Sequence, residues 1–417
     1  MSNQAVAITG MGIVSSLGQD IEAFDLALQE MRHGFSAFDS PFLAVMAQIR
    51  DFDFKKHPVM EKAPAPIRDK ALRLARRSGP ALQSAVIAAL QAWLQAGLEE
   101  KSEQISIVTA GSNLSQGASF EVYRKALEAP EFVSPSFALA QFDTNLNGLL
   151  SELLGIRGEG MSVGGASASG NLGLIQGLRL LRLGVSQACL CAAPYYDPST
   201  AELSAFCNLQ ALGNYGAPLE PGEVCRPFDR GHRGFVPGQA SVCLILENMD
   251  HARQRNAPIL AELSGGAVAL DGNHLPDANP EGEYRSMRRA MEDAGVSVSD
   301  IDYINAHGTS TPGGDRAEAE AITRLLGEET GRVRVNSTKS LMGHCLFSAG
   351  LAEAAAVVCQ MLGGYVHGTR NLLDPETDTL RLSDRTEKDV KIRCAMSNSF
   401  GFGGINSSVI LRSAEMA

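Results

Sequence analysis

Short apolar runs alternate with longer segments of helical character along almost the whole chain. Most of these runs are apolar throughout, which is typical of strands that are covered on both faces of a sheet. The strand candidates are 5–9, 105–110, 188–193, 241–247, 301–306, 332–336, 395–399 and 408–412. Because strands and helices alternate regularly, the sequence predicts a layered α/β fold.

The helices expected between the strands are marked by their ends. Pro80 fits a first helical position, apolar residues recur after it with a helical period, and Gly97 fits a stop. We expect two more helices at 316–326 and 348–362, each followed by glycine.

Two other segments are predicted to connect structural elements rather than to form them. The segment 9–12 reads Thr-Gly-Met-Gly after a strand but lacks the third glycine of a dinucleotide-binding loop, so it predicts a tight βα turn. The polar stretch 250–256 is expected to be a hinge between two halves of the chain.

The composition argues against several classes of protein. The formal net charge of −11 over 417 residues argues against nonspecific binding to nucleic acid, which needs a broad basic surface. We see no secretory signal, and no uninterrupted apolar run approaches the ~20 residues of a membrane span. The eight cysteines are scattered, and the close pair Cys189 and Cys191 lacks the spacing of a zinc site. We therefore expect a cytoplasmic protein with buried free thiols and no metal.

A run of small residues, from Val163 to Gly170, contains Ser167 and precedes the apolar helical stretch 171–183. Serines in such runs are most often helix caps or residues that permit close packing. A side chain at the N-terminus of a buried helix also feels the positive end of the helix dipole, a placement that makes a nucleophile of cysteine. Serine gains far less from it, because its hydroxyl stays protonated without a general base.

Two histidines stand in motifs with small or hydroxyl-bearing neighbours, His307-Gly-Thr-Ser-Thr and Lys339-Ser-Leu-Met-Gly-His344. A single histidine is more often a hydrogen-bonded structural residue than a catalyst. Two imidazoles, however, can each donate one N–H to the same oxygen, and preorganised donors stabilise an enolate there. The pair predicts a site at which negative charge develops on an oxygen atom.

These motifs, together with Gly401-Phe402-Gly-Gly404, resemble those of the β-ketoacyl-acyl-carrier-protein synthases of the thiolase-like superfamily. The resemblance covers nearly the whole chain and implies a thiolase-like α/β fold, with two pseudo-equivalent halves in a five-layer αβαβα sandwich. We assign the N-terminal half to residues 1–250 and the C-terminal half to residues 251–417. The resemblance also implies a homodimer.

The same resemblance implies roles for individual residues. His307 and His344 would hold the oxygen of a malonyl thioester, and Lys339 would support them electrostatically. Thr309 and Thr311 match positions that hold the phosphopantetheine arm of an acyl carrier protein. No cofactor is implied, because that arm carries the substrate.

Phe402 matches a phenylalanine that gates the active site of the family and presents an apolar face to the malonyl carboxylate. Desolvation raises the energy of a carboxylate but not that of neutral CO2, so this contact favours decarboxylation. The backbone N–H groups of Ser167 and Phe402 match a second oxyanion pocket, used in acyl transfer. The predicted catalytic set is Ser167, His307, His344, Lys339 and Phe402.

The most basic stretch of the chain runs from Arg68 to Arg77. A solvated helix face is the usual fate of such a charge run. Arg73, Arg76 and Arg77 are nevertheless spaced i, i+3 and i+4, so a helix would place them on one face. They match family positions that dock the acidic carrier protein, and a basic patch on a negatively charged protein would steer such a partner.

The family carries a cysteine nucleophile at the position of Ser167. The chain therefore keeps the residues for decarboxylation and weakens the acceptor of the growing acyl chain. This pattern resembles the stand-alone malonyl-ACP decarboxylases with serine for cysteine in polyketide β-branching cassettes. Their acetyl carrier protein feeds an enzyme similar to hydroxymethylglutaryl synthase. Conversion of malonyl-ACP to acetyl-ACP is the predicted function.

Three alternatives remain open. Ser167 could be acylated in a condensing or acyl-transferring enzyme. The chain could be a noncatalytic, chain-length-factor-like partner in a heterodimer, although such a scaffold needs no charge-stabilising donors. The serine could also be a laboratory substitution in an ordinary synthase. Gly164 and Gly165 argue against that origin, because Thr-Ala commonly precedes the family's cysteine.

Overall fold

A computed structural model of the chain describes residues 5–98, 103–213, 220–273 and 277–416. The strands in these ranges are β1 Val6–Ser15, β2 Phe35–Ala37, β3 Val45–Ala47, β4 Ile105–Ala110, β5 Gly160–Val163, β6 Ala188–Ala193, β7 Ala240–Asn248, β8 Ala261–Leu270, β9 Tyr303–Asn305, β10 Arg334–Asn336, β11 Tyr365–Val366, β12 Arg381–Leu382, β13 Glu387–Lys388, β14 Cys394–Gly401 and β15 Ile405–Ser413. The helices are α1 Ile21–Gln29, α2 Pro58–Lys62, α3 Ala65–Leu74, α4 Pro80–Ala96, α5 Gln116–Ala126, α6 Phe137–Ala140, α7 Thr144–Leu154, α8 Ser169–Arg182, α9 Thr200–Asn208, α10 Met249–Gln254, α11 Pro280–Ala294, α12 Pro312–Leu326, α13 Lys339–Met342 and α14 Ala349–Gly363.

Most of the strands belong to one 11-stranded sheet, in the order β12-β10-β9-β14-β15-β8-β1-β7-β6-β4-β5. β1 and β8 join its two parts and pair over a short stretch, 6–8 against 261–263. On one side β4 and β6 are parallel, and β7 and β1 follow antiparallel. On the other side β9 and β14 are parallel, and β15 and β8 follow antiparallel. The two half-sheets thus repeat one strand pattern.

Helices cover both half-sheets and also separate them. α8 and α14 pack against each other and contact strands of both halves. Nearly every residue of α14 is buried, as an alanine-rich helix between two sheets must be. α4 covers β1 and β7 from outside, and α11, with α12 beside it, covers β8 and β15. The layers therefore follow the order helix, sheet, helix, sheet, helix that the sequence resemblance implied.

One stretch of the described chain, Leu346–Gly363, is long and apolar enough to cross a membrane by length and composition. It contains α14, and 78% of it is buried inside the protein. The polar residues Glu353 and Gln360, which interrupt the apolar run, are buried there as well. The apolar character of this stretch is accounted for by its position between the two half-sheets.

The turn predicted at 9–12 is wrong, because this segment is the middle of β1. A Cβ atom at Gly10 would lie 2.1 Å from the carbonyl oxygen of Ala92, and one at Gly12 would lie 2.0 Å from that of Ala88. Glycine stands at both positions because α4 crosses the strand in direct backbone contact.

The hinge predicted at 250–256 is mostly a helix, α10. The Asn248 side chain caps it by accepting two backbone N–H groups of its first turn. Arg255, at its end, pairs at 2.5 Å with the buried carboxylate of Glu247 on β7, which holds the segment against the sheet. The division of the chain at residue 250 stays a prediction.

Candidate active site

Ser167 stands on a tight turn that leads into α8. Ala166 has a φ of 48°, a left-handed conformation that residues other than glycine seldom adopt. Ser169 Oγ accepts the N–H of Gly165 at 2.9 Å, and Ser399 Oγ donates to the Ser167 carbonyl at 2.8 Å. These bonds hold the turn at the positive end of a 14-residue helix, where Ser167 is 8% exposed.

His344 is placed beside Ser167 by the loop that follows α13, where its N–H donates to the Val236 carbonyl at 2.7 Å. Its Nδ1 accepts the N–H of Leu346 at 3.3 Å, and its Nε2 lies 2.8 Å from Ser167 Oγ. Burial, and next the charge of Lys339, lowers the pKa of His344 well below its ordinary value, so the ring is neutral. With Nδ1 as an acceptor, the ring proton sits on Nε2, and His344 donates to Ser167.

His307 follows β9 and lies next to His344, with the two ring centroids 5.4 Å apart and the ring planes at 84°. The N–H groups of His307 and Gly308 donate to the Glu318 carboxylate at 2.8 and 2.7 Å, which fixes the loop. Its Nδ1 is buried and has no partner among the described residues, and the residue lines the cavity described below. Burial, and next the charge of Lys339, lowers the pKa of His307 well below its ordinary value.

Lys339 stands behind the two histidines and is not part of the cavity wall. Its side chain is 1% exposed and pairs with Glu353, which is also buried. Because its charge is shielded from water, it disfavours a further positive charge on either imidazole. The electrostatic support that the sequence resemblance implied for Lys339 stays a prediction.

A cavity of about 410 Å³ opens over these groups. The predicted site residues in its wall are Ser167, His307, His344, Thr309, Thr311 and Phe402. The hydroxyl oxygens of Thr309 and Thr311 are 2.8 Å apart, so the two side chains present one polar edge. Phe402 is 42% exposed, and its ring lies 6.4 Å from that of Phe206.

The three arginines predicted to dock the carrier are exposed. α3 ends at Leu74, and 75–77 continue it as a 3₁₀ turn, in which residues three apart lie on the same side. The docking role of the three arginines stays a prediction. Arg73 is on the last turn of α3, with a guanidinium nitrogen 3.5 Å from the Glu152 carboxylate. The arginines are neighbours in the chain on an exposed corner outside the cavity.

The sequence interpretation missed four carboxyl groups in the cavity wall, those of Asp271, Asp277, Glu283 and Glu318. Burial raises the pKa of Glu318 to about 7. Glu283 is 2% exposed, and burial, with Glu318 as the nearest charge, raises its pKa well above the usual range. An acidic residue in the first turn of a helix ordinarily serves the helix dipole, so Glu283 on α11 gave no functional signal. Glu318 was detectable, because it interrupts the alanines on the buried face of α12.

All eight cysteines are free thiols. Seven of them are buried, and the eighth, Cys207, is half-buried. Burial raises the pKa of Cys225 and Cys243. Neutral, buried thiols of this kind are packing residues rather than nucleophiles.

Comparison with known proteins gives consistent family matches. Residues 3–252 match the family described as beta-ketoacyl synthase, N-terminal domain, and residues 260–373 match beta-ketoacyl synthase, C-terminal domain. The polyketide biosynthesis malonyl-ACP decarboxylase PksF of Bacillus subtilis (strain 168) is 34% identical over 98% of this chain and 97% of its own. The 3-oxoacyl-(acyl-carrier-protein) synthase 2 of Coxiella burnetii is 32% identical over 99% of each chain.

Solved structures match over almost the whole length. The ishigamide ketosynthase/chain length factor is 28% identical, with a TM-score of 0.86 over 98% of this chain and 99% of that one. A beta-ketoacyl synthase from Burkholderia phymatum STM815 is also 28% identical, with a TM-score of 0.87 over 99% and 100%. A type II polyketide ketosynthase in complex with its acyl carrier protein matches in fold, with a TM-score of 0.87 at 24% identity over 99% and 100%.

The repeated half-sheets, the central helix pair and the histidine-lined cavity belong to the thiolase-like fold, as the sequence predicted. The chain belongs to the beta-ketoacyl synthase family, which both of its halves match.

Proposed function

We propose that the protein decarboxylates malonyl-ACP to acetyl-ACP. One observation carries this proposal: His344 is an N–H donor to Ser167, because its other nitrogen accepts the N–H of Leu346. A serine needs a base to become a nucleophile, and a histidine in this state cannot take its proton. The two imidazoles are instead arranged to bind an oxygen. The 34% identity with a malonyl-ACP decarboxylase of polyketide biosynthesis supports the same function.

The chemistry follows from the donors. The thioester oxygen of the malonyl group binds between the Nε2–H groups of His307 and His344, and loss of CO2 leaves an enolate whose charge rests on that oxygen. Each preorganised donor contributes about 2.7–4 kcal/mol in comparable sites. Phe402 presents an apolar face to the carboxylate, which is destabilised by desolvation while neutral CO2 is not. Lys339 supports the histidines through space.

The proposal includes the substrate's carrier. The phosphopantetheine arm of an acyl carrier protein lies along Thr309 and Thr311, and Arg73, Arg76 and Arg77 attract the acidic carrier. The ketosynthase–carrier complex of the same fold supports this partner.

We also propose a homodimer, which light scattering would report as twice the 44.2 kDa chain mass. A cytoplasmic enzyme similar to hydroxymethylglutaryl synthase would consume the acetyl product.

The test is incubation of the purified protein with malonyl-carrier protein, followed by mass spectrometry of the carrier. The native chain is expected to form acetyl-carrier protein, and His307→Ala to lower the rate by about 10²–10³-fold. His251→Ala is the matched control, because His251 lies on α10 outside the cavity wall. Absence of acetyl product with the native chain would reject the proposal.

A second candidate is a condensing or acyl-transferring enzyme that carries the acyl group on Ser167. The 32% identity with a 3-oxoacyl synthase favours it. Incubation with acyl-carrier protein separates the two functions, since an acyl adduct on Ser167 supports the second candidate.

A noncatalytic partner role is favoured by the fold of the ketosynthase/chain length factor. It would be revealed by co-purification with a cysteine-bearing paralogue, and the retained histidines argue against it.

A further inference from the structure

Decarboxylation of a malonyl thioester needs a proton donor as well as an oxyanion site. Once CO2 has left, the methylene carbon of the enolate must take up a proton to become the methyl group of the acetyl product. A condensing enzyme avoids this need, because the same carbon attacks an acyl group. A group beside the histidines must therefore supply a proton if the proposed function holds.

Ser167 has a hydroxyl proton available at this place. In the 2.8 Å contact between Ser167 Oγ and His344 Nε2, the histidine is the donor, so the serine oxygen accepts and its own proton is not used there. The Ser167 side chain lines the cavity, so this proton can point into it.

The position relative to the enolate follows from the shared histidine. The enolate oxygen binds the same Nε2–H that lies 2.8 Å from Ser167 Oγ. The methylene carbon is two bonds from that oxygen. The carbon and Oγ therefore lie around the same ring nitrogen, and proton transfer requires them to come within roughly 3–3.5 Å, the separation of reacting atoms in a near-attack geometry.

We propose that Ser167 donates its hydroxyl proton to the methylene carbon of the enolate. The O–H bond of Ser167 breaks, a C–H bond forms, and the enolate electrons return to restore the thioester carbonyl. The serine alkoxide left behind is stabilised by the Nε2–H of His344 and by the positive end of α8. A water molecule that enters the open cavity protonates the Ser167 alkoxide and leaves as hydroxide. This role rests on the proposed decarboxylation.

The two buried carboxyl groups of the cavity wall, those of Glu318 and Glu283, are poorer donors. Both oxygens of Glu318 are already occupied, because they accept the N–H groups of His307 and Gly308 and the Asn398 amide at 3.1 Å. Burial raises the pKa of Glu283 well above its usual range, and its Oε2 has no hydrogen-bond partner within the described ranges. It lies in the first turn of α11, and no hydrogen bond joins it to either imidazole in the described part of the chain. Glu283 is therefore the rival that an experiment must exclude.

The test measures isotope discrimination in the product, because this ratio reports proton transfer even when an earlier step limits the rate. Malonyl-carrier protein is turned over in an equal mixture of light and heavy water, and mass spectrometry gives the ratio of protium to deuterium entering the acetyl group. Ser167→Ala is expected to shift this ratio, because water then replaces a fixed donor. Glu283→Gln is expected to leave the native ratio unchanged.

An unchanged ratio in Ser167→Ala overturns this role, and so does a shift that appears in Glu283→Gln alone. Ser167→Gly serves as a second variant if the alanine variant does not fold, and thermal unfolding monitors both. The experiment distinguishes failure of the Ser167 role from failure of the proposed decarboxylation. Failure of the native chain to form acetyl product defeats decarboxylation itself, whereas product formation with an insensitive ratio defeats only the role of Ser167.

Discussion

At the scale of single residues, backbone N–H groups fix the state or position of side chains in the candidate site. The N–H of Leu346 makes an acceptor of one nitrogen of His344 and so leaves the other as a donor. The N–H groups of His307 and Gly308 bind Glu318 in the same way. In both cases a main-chain donor fixes the state or position of a side chain that faces the cavity.

The pKa of Glu318 makes a prediction about stability. Burial raises this pKa from 4.5 to about 7, so between these pH values the native state keeps a proton that the unfolded chain has lost. Its contribution is therefore present below pH 4.5 and is lost as the pH rises through 7, by on the order of 3 kcal/mol in total. Glu318→Gln should flatten this part of the pH dependence of the unfolding free energy, measured by urea titration.

The exposed Glu320 on the same helix offers the matched control for this measurement. Glu320→Gln should keep the native slope between pH 4.5 and about 7. If Glu318→Gln also keeps the native slope, the carboxyl group of Glu318 does not titrate in this pH range, which would contradict the raised pKa.

At the scale of elements, the contact between α4 and β1 depends on two missing side chains. A Cβ atom at Gly12 would lie 2.0 Å from the Ala88 carbonyl oxygen, which belongs to the helix backbone and cannot rotate away. Gly12→Ala should therefore lower the free energy of unfolding by about 3 kcal/mol or more, measured by denaturant titration. Gly148→Ala on α7 is the control, because that site is open and alanine favours a helix. Equal stability of the two variants would contradict the close contact.

The bounds of the strands and helices show where the local sequence was sufficient to predict an element. β4 and β6 begin and end where the apolar runs predict. α12 begins at Pro312, four residues before the predicted start, because Gly313 and Gly314 weaken the helical pattern. β8 was not predicted, since Gly265 and Gly266 interrupt its apolar run. A Cβ atom at Gly265 would lie 2.6 Å from the backbone of α11. Glycine is therefore required here by a close contact with α11, which the sequence alone does not reveal.

At the scale of the whole molecule, charge is unevenly distributed. The chain has a net charge of −11, yet Arg73, Arg76 and Arg77 are exposed together at the end of α3. Such a patch accelerates encounter with an acidic carrier more than it strengthens the final complex.

The patch makes a kinetic prediction. Replacing Arg73, Arg76 and Arg77 by alanine should raise KM for malonyl-carrier protein about tenfold with little change in kcat, since each exposed charge contributes about 0.2–1 kcal/mol. The difference should shrink at high salt, where the charges are screened. Replacing Arg288 and Arg289, which are exposed on α11, is the control and should leave KM unchanged. A fall in kcat without a rise in KM would contradict a docking role.

The sequence by itself determined the alternation of strands and helices and the motifs of the site, because periodicity and short-range spacing are local properties of the chain. It also carried the family resemblance, which the whole-length matches confirm. Only the tertiary structure brought Ser167 to His344, 177 positions away, and placed the Leu346 N–H on the other ring nitrogen, from which the donor is inferred. Burial of Glu283 and Glu318 in the same cavity was likewise decided by packing, since the environment of a carboxyl group depends on elements that are distant in sequence.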